Sequence, residues 1–338
     1  MAIYLDDTQR SDLADLARSW TWRTQWPTWA LIVTIYASWF GVATHARALG
    51  LPATTLLLAV LGAWYMSLQH ELLHGHPTRS PFINGLLGFA PLAVWFPYRI
   101  YRESHLQHHD DAQLTRPGHD PESYFVSSAD WLRAGAAMRA LLLFRTTLFG
   151  RLLVGPAFSL AATGAQALGK IRDGDWRDVP AWLAHLAALA ALTGWLQQRC
   201  AIPVWVFIVG AGYGSLALAS VRSFYEHRDA QVAAHRTVIN EAAWGWRLLF
   251  LNNNYHLVHH DLPQVPWFAL GAVYRNSREQ YIERSGGFLV GGYSEWVRRY
   301  AFASVSHPVT GAALGTRHEN PVVSGGFAGK LRRANLEI

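Results

Sequence analysis

Apolar residues in this chain gather into runs long enough to match a lipid bilayer. Trp26 to Ala46 is the first run and Leu51 to Leu73 the second, joined by the break Arg47-Ala48-Leu49-Gly50-Leu51-Pro52. Val179 to Leu196 and Ile202 to Phe224 repeat the plan, separated by Gln197-Gln198-Arg199. A helix needs about 20 mostly apolar residues to cross the hydrocarbon core. The pattern therefore predicts about four transmembrane helices in two hairpins. Phe82 to Phe96 is short and contains Pro91, which predicts a re-entrant or interfacial segment. Trp131 to Leu168 carries Arg133, Arg139, Arg145 and Arg151, which do not suit a membrane interior. It is expected to lie on the surface and dip near Leu152 to Leu168. Residues 1–25 alternate Asp6, Asp7, Asp12 and Asp15 with Arg10 and Arg18, and read as a short amphipathic helix at the membrane surface. Residues 26–318 then form one membrane domain, whose polar portion from Gln264 onward is a cap. Residues 319–338 read as a flexible tail. The fold class is an all-α integral membrane protein with interfacial helices and a histidine-rich cytoplasmic cap.

Composition sharpens this picture. The hydrophobic fraction is 51% and charged residues make up only 15%, with 16 Trp. A soluble domain averages roughly 25% charged residues. The net charge of +6 comes mostly from arginine. No dense basic run with interleaved aromatics is present, so nucleic acid is not the expected partner. Arg10, Arg18 and Arg23 precede the first run, and Arg79, Arg99 and Arg102 follow the second. Lys170, Arg172 and Arg177 precede the third, and Arg222 and Arg228 end the fourth. The opposite side shows only Arg47 and Arg199. The positive-inside bias therefore predicts cytoplasmic termini in a multi-pass protein of the cell inner membrane. No cleavable signal peptide is visible. The single cysteine, Cys200, excludes an internal disulfide, a cysteine zinc site and a fused iron–sulfur module.

The chemistry lies in the histidines. Of 16, eight stand in three clusters: His70 and His74 in H-E-L-L-H, His105, His108 and His109 in H-L-Q-H-H, and His256, His259 and His260 in H-L-V-H-H. Each lies at the end of an apolar stretch, on the face that the charge bias makes cytoplasmic. Residues four apart share a helix face, so each cluster can offer two imidazoles to one ion. Adjacent residues on a helix point about 100° apart, so a doubled His-His can serve one ion with one residue and a second ion with the other. Eight imidazoles are too many for one ion, and two ions sharing them is the simpler account. His227, where the fourth run ends, stands in the right place for a ninth ligand. His76 and His119 lie near the clusters but off the spacing. His45, His185, His235, His307 and His318 are isolated and read as hydrogen-bonded or solvated residues. H-E-L-L-H also matches the zinc-protease pattern, with Glu71 as base. That alternative leaves the other two clusters unused, and Glu71 is then expected to orient an imidazole.

These three boxes, in this order and between hydrophobic hairpins, resemble the membrane fatty acid desaturase and hydroxylase superfamily. The resemblance spans Gln69 to Pro266. It implies a non-haem centre of two iron ions held by His70, His74, His105, His108, His109, His256, His259 and His260, with His227 matching an extra histidine of many members. It implies O2 as co-substrate and attack on an unactivated C–H bond of a lipid-like substrate. The expected reaction introduces a double bond into a fatty acyl or similar chain. Hydroxylation of acyl chains, alkanes or carotenoid-type lipids on the same site is the alternative, and an intramembrane zinc protease a weaker one. Electrons must then come from an external protein, ferredoxin-like or haem-containing, with its reductase. Asn252, Asn253 and Asn254 are candidates to support ligands. The segment Leu114 to Ser123, with His119, Asp120 and Glu122, and the extra H-G-H-P at His76 depart from the general pattern. Asp120 and Glu122 are expected at the polar end of a substrate channel, or Asp120 as a helix cap.

Overall fold

The computed structural model describes residues 4–110 and 112–311, so the tail expected over 319–338 lies outside the described residues. The architecture is a helical bundle with a histidine-bearing cap at one end. Its legs are Trp26–Thr44, Leu51–Leu73, Val179–Arg199 and a last leg in which a π-helical stretch, Val206–Gly212, continues into Tyr213–Arg222. Pro27, Pro52 and Pro180 sit in the first turns of three legs, where a missing N–H costs nothing. The buried faces meet in one apolar core that includes Ile35, Trp39, Leu58, Tyr65, Leu68, Leu196 and Phe207. Val33, Leu56, Leu183 and Val209 are all more than 60% exposed on the outside of the legs. In water such a surface would aggregate, whereas in lipid it is solvated.

Leu51–Leu73 and the last leg run parallel toward the cap. A Cβ on Gly210 would meet Thr55, one on Gly214 would meet Ala59, and one on Gly62 would fall 2.1 Å from the Ser215 Oγ. Small residues thus let these two backbones approach closely, which is how helices associate where lipid removes the hydrophobic drive.

Among the described residues, four helices are long and apolar enough to cross a membrane: Leu51–Leu73, Leu148–Arg172, Val179–Arg199 and Val206–Tyr225. Two features differ from the pattern expected of the sequence. Trp26–Thr44 fills a leg of the bundle but is absent from that set, because Trp, Tyr and Thr side chains dilute its hydropathy. Leu148–Arg172 is one continuous 25-residue helix, not a surface helix followed by a dip. Even so, both of its ends lie on the cap side. Leu148 packs with Phe224 and Trp296 of the cap. At the other end Lys170 pairs with Asp178 at 2.7 Å, directly before the Val179 leg departs from the cap. That leg runs away from the histidines, since its Trp195 reaches Phe40 and its Leu196 packs beside Ala43 and Ala46.

The Phe82 to Phe96 stretch holds one short helix, Pro81–Gly88, and then irregular chain folded back into the bundle. Carbonyls buried at membrane depth need donors. Tyr36 donates to Leu87, Gln69 to Gly88 and His185 to Val94, each within 2.8 Å. The N-terminal helix Asp7–Arg18 docks on the cap. Its apolar face is covered by protein rather than lipid: Leu13 packs against Val273, Tyr274 and Tyr281, and Gln9 donates to the Tyr281 hydroxyl. In the cap, two short parallel strands, Ile239–Asn240 and Leu289–Val290, tie the segment after His227 to the chain beyond the third box.

Replacing Gly62 by Val should therefore cost about 1–3 kcal/mol by overpacking. In thermal unfolding of the detergent-purified protein it should lower the midpoint by several degrees. Gly164→Ala, with nothing within 4 Å of its Cβ, should leave the midpoint unchanged or raise it.

Candidate metal centre

Three helices carry the imidazoles of the three boxes to one place. The Leu51–Leu73 leg delivers His70 and, one residue past its end, His74. The helix Tyr98–His108 starts after Pro97 and delivers His105 and His108, with His109 at its end. The six-residue helix His256–Asp261 is buried along its whole length and delivers His256, His259 and His260. Asp261 anchors that helix through paired bonds from Arg284 at 2.6 and 2.7 Å. Its entry is a turn in which Leu251 and Asn252 adopt φ of 49° and 57°. His227 is held beside it by a bridge to Thr237.

The nine histidines fall into two groups. His70, His74, His105, His109 and His259 form one, and His108, His227, His256 and His260 the other. Within each, one nitrogen per residue lies within 4.8 Å of every other. Opposite imidazole nitrogens on one ion stand about 4.2 Å apart, given metal–nitrogen bonds of about 2.1 Å. Helical geometry makes the split: His105 and His109 share a face, as do His256 and His260, while His108 and His259 point to the other group.

The donor chemistry fits metal ions. His105 Nδ1 bonds Glu122 at 2.8 Å, His108 Nδ1 bonds Asp120 at 2.8 Å, and His256 Nδ1 bonds the Asn253 amide oxygen at 3.1 Å. A proton on Nδ1 leaves Nε2 with a bare lone pair in the neutral ring. Those Nε2 atoms face one another: His105 to His109 at 3.0 Å, His109 to His259 at 3.1 Å, His108 to His227 at 3.1 Å and His227 to His256 at 3.0 Å. One proton can satisfy only one contact of each pair of contacts at His109 and His227; a cation among them satisfies all. His74 Nε2 is buried with no hydrogen-bond partner.

The electrostatics point the same way for most of the cluster, His108 excepted. Burial first, and neighbouring imidazoles next, hold His74, His109, His227, His256 and His259 below the usual histidine range, in the neutral ligating form. Burial also opposes charge on His108, but Glu122 and Asp120 outweigh it and raise its pKa to about 9. Burial would raise Glu122, yet His105 and His108 hold its carboxyl well below the ordinary range.

Several residues behave otherwise than the sequence led one to expect. Glu71 does not orient an imidazole: its carboxylate accepts the Trp267 backbone N–H at 3.1 Å. Glu122 and Asp120 do that work, and both also line a narrow cavity beside His108 and His227. Asp120 also accepts the Thr115 and Glu122 backbone N–H groups, which fixes its loop. The signal available was only the acidic D-P-E, Asp120 to Glu122, in the loop downstream of the second box. Of the three asparagines, Asn253 bridges His256 and His70, while Asn252 and Asn254 bond backbone carbonyls. His76 is buried outside both groups and His119 is exposed. His45 bonds the Gly41 carbonyl, His185 that of Val94, and His307 accepts from the Val309 N–H. The His235 carbonyl accepts from Arg228, and His318 lies outside the described residues.

Carboxylates that hold metal-binding imidazoles are worth about 10–100-fold in metal affinity. Glu122→Gln and Asp120→Asn should each weaken metal retention by that factor in chelator competition. Retention equal to the parent protein's would show that the two carboxylates serve only the loop.

The fatty acid desaturase family model matches residues 46–290, which include all three histidine clusters and His227. No curated protein matches the chain. With that match covering most of its length and ending beyond the last box, the chain belongs to the fatty acid desaturase family.

Proposed function

We propose that this protein uses O2 to introduce a double bond into a fatty acyl or other lipid-like chain, with two iron ions held by the nine histidines. The observation that carries the proposal is the pair of buried imidazole groups at the end of a membrane bundle. Bound iron would supply O2 activation and the electron transfers that strip hydrogen from an unactivated carbon. The chain's own residues do the rest. Asn253, Glu122 and Asp120 set the imidazole orientations, and burial keeps bulk water from the reacting site. Two adjoining narrow cavities share Met66 and Tyr101 and lead from His70 to Val94 and Leu216, between the legs. At about 20 and 30 Å³ they are too small for an alkyl chain as they stand, but their largely apolar lining marks where one would reach the first group if the legs part. The orientation read from the Lys/Arg bias puts cap and termini in the cytoplasm of an inner-membrane protein, where an external ferredoxin-like or haem carrier and its reductase can deliver electrons.

Hydroxylation on the same site is the second reading, since the two reactions diverge only once the first hydrogen has been removed. The protease reading has little support. A catalytic zinc takes three protein ligands and keeps an open position, whereas His70 and His74 share their group with three further imidazoles. Glu71 is committed to the Trp267 backbone.

Iron-loaded protein should convert a lipid chain only with O2 and a reductant, and mass spectrometry of the product should show loss of two hydrogens rather than gain of oxygen. His108→Ala and His260→Ala should abolish conversion while the chain stays in the membrane. Full conversion by both variants would defeat the assignment. Glu71→Gln keeps an acceptor for Trp267 and should retain most of this activity; a zinc protease would lose all of its own.

A further inference from the structure

A cavity of about 700 Å³ opens beside the first histidine group, with His74 in its wall. It lies between the N-terminal segment, the turn after the first box and the helix Tyr98–His108, away from the narrow passage beneath His70. Among the described residues its lining includes Arg79 and Arg102 and no Asp or Glu. Neither arginine forms an ion pair with any described residue. His76 lines it too. That side chain is 7% exposed, and its Nε2 is buried without a hydrogen-bond partner, its other nitrogen being held by the Gln264 backbone. Two unpaired guanidinium groups in a concave wall without acidic residues create a field that favours an anion. Their planar forks match carboxylate or phosphate oxygens.

The surroundings say what kind of anion. Pro81 lines the cavity and begins the helix Pro81–Gly88, which exposes Phe82 at 80% and Leu86 at 67%. Trp22 lines the opposite wall, next to the exposed Trp20 and Trp26. Exposed tryptophans of this kind gather at the headgroup level of a bilayer. The cavity is therefore a cationic recess with a largely apolar wall, and its rim meets lipid.

We propose that this cavity binds the anionic headgroup of an amphiphile, with Arg79 and Arg102 gripping its carboxylate or phosphate while the tail stays on the apolar side. Resting on the proposed lipid oxidation for a lipid as the ligand, this places an anionic lipid head beside His74, in a recess that shares no lining residue with the passage beneath His70. The site selects acidic lipids over neutral ones of the same chain length.

The test uses the full metal-loaded chain in neutral detergent, with cis-parinaric acid and its methyl ester as fluorescent probes. The acid should bind about 10–100-fold more tightly than the ester, the range that charge-assisted hydrogen bonds support. Raising ionic strength should erode that preference in the parent protein. The double variant Arg79→Gln, Arg102→Gln should lose it with metal content unchanged, and the Arg→Lys pair should keep part of it. Competition then identifies the head. Displacement at lower concentration by phosphatidic acid means a phosphate, and by oleic acid a carboxylate. Equal binding of acid and ester, a preference indifferent to salt, or a full preference in the glutamine variant would overturn the site. An intact preference without any O2-dependent conversion would remove the oxidation reading and leave the headgroup site standing.

Discussion

Nine imidazoles packed within bonding distance of one another, out of water, are the constraint on which the rest of this structure depends. Neutral rings with bare nitrogens face to face repel, and a buried polar atom without a partner is costly. Such a cluster persists only if each ring is fixed from behind and something positive is shared in front. The fixing is visible in Glu122 behind His105, Asp120 behind His108 and Asn253 behind His256. Two groups of five and four converging nitrogens could hold a metal ion as that partner.

Much of the remaining architecture serves that cluster. The parallel approach of Leu51–Leu73 and the last leg, made possible by Gly62, Gly210 and Gly214, sets His70 and His74 opposite the segment that carries His227. The Arg284–Asp261 pair pins the third box, and the strand pair Ile239–Asn240 with Leu289–Val290 closes the cap over it. The N-terminal helix adds a further clamp by docking on the cap through Leu13 and Gln9. The bundle thus positions the ligands, and the cap excludes water.

What the sequence made legible was whatever obeys short-range periodicity. The four legs come from apolar run length, and the division of His108 from His109 and of His259 from His260 comes from the helical turn. What it hid depends on long-range placement. Glu122 and Asp120 reach His105 and His108 from 17 and 12 residues downstream through an irregular loop, so no spacing rule marks them. Glu71 stood inside a helical pattern that suggested contact with its neighbours, yet its side chain turns to Trp267 instead. An amphipathic N-terminal helix looks the same whether lipid or protein covers it. Leu148–Arg172 has the hydropathy of a span, and only the partners at its two ends, Trp296 and Asp178, show that both lie on one side.

The central claim is that the histidines hold two ions, one per group. Anomalous diffraction at the iron edge, from crystals of protein expressed with iron, addresses it most directly. Two iron peaks per chain are expected, one surrounded by His70, His74, His105, His109 and His259 and the other by His108, His227, His256 and His260. A single peak, or one zinc bound by His70 and His74 with the remaining imidazoles unengaged, would contradict it.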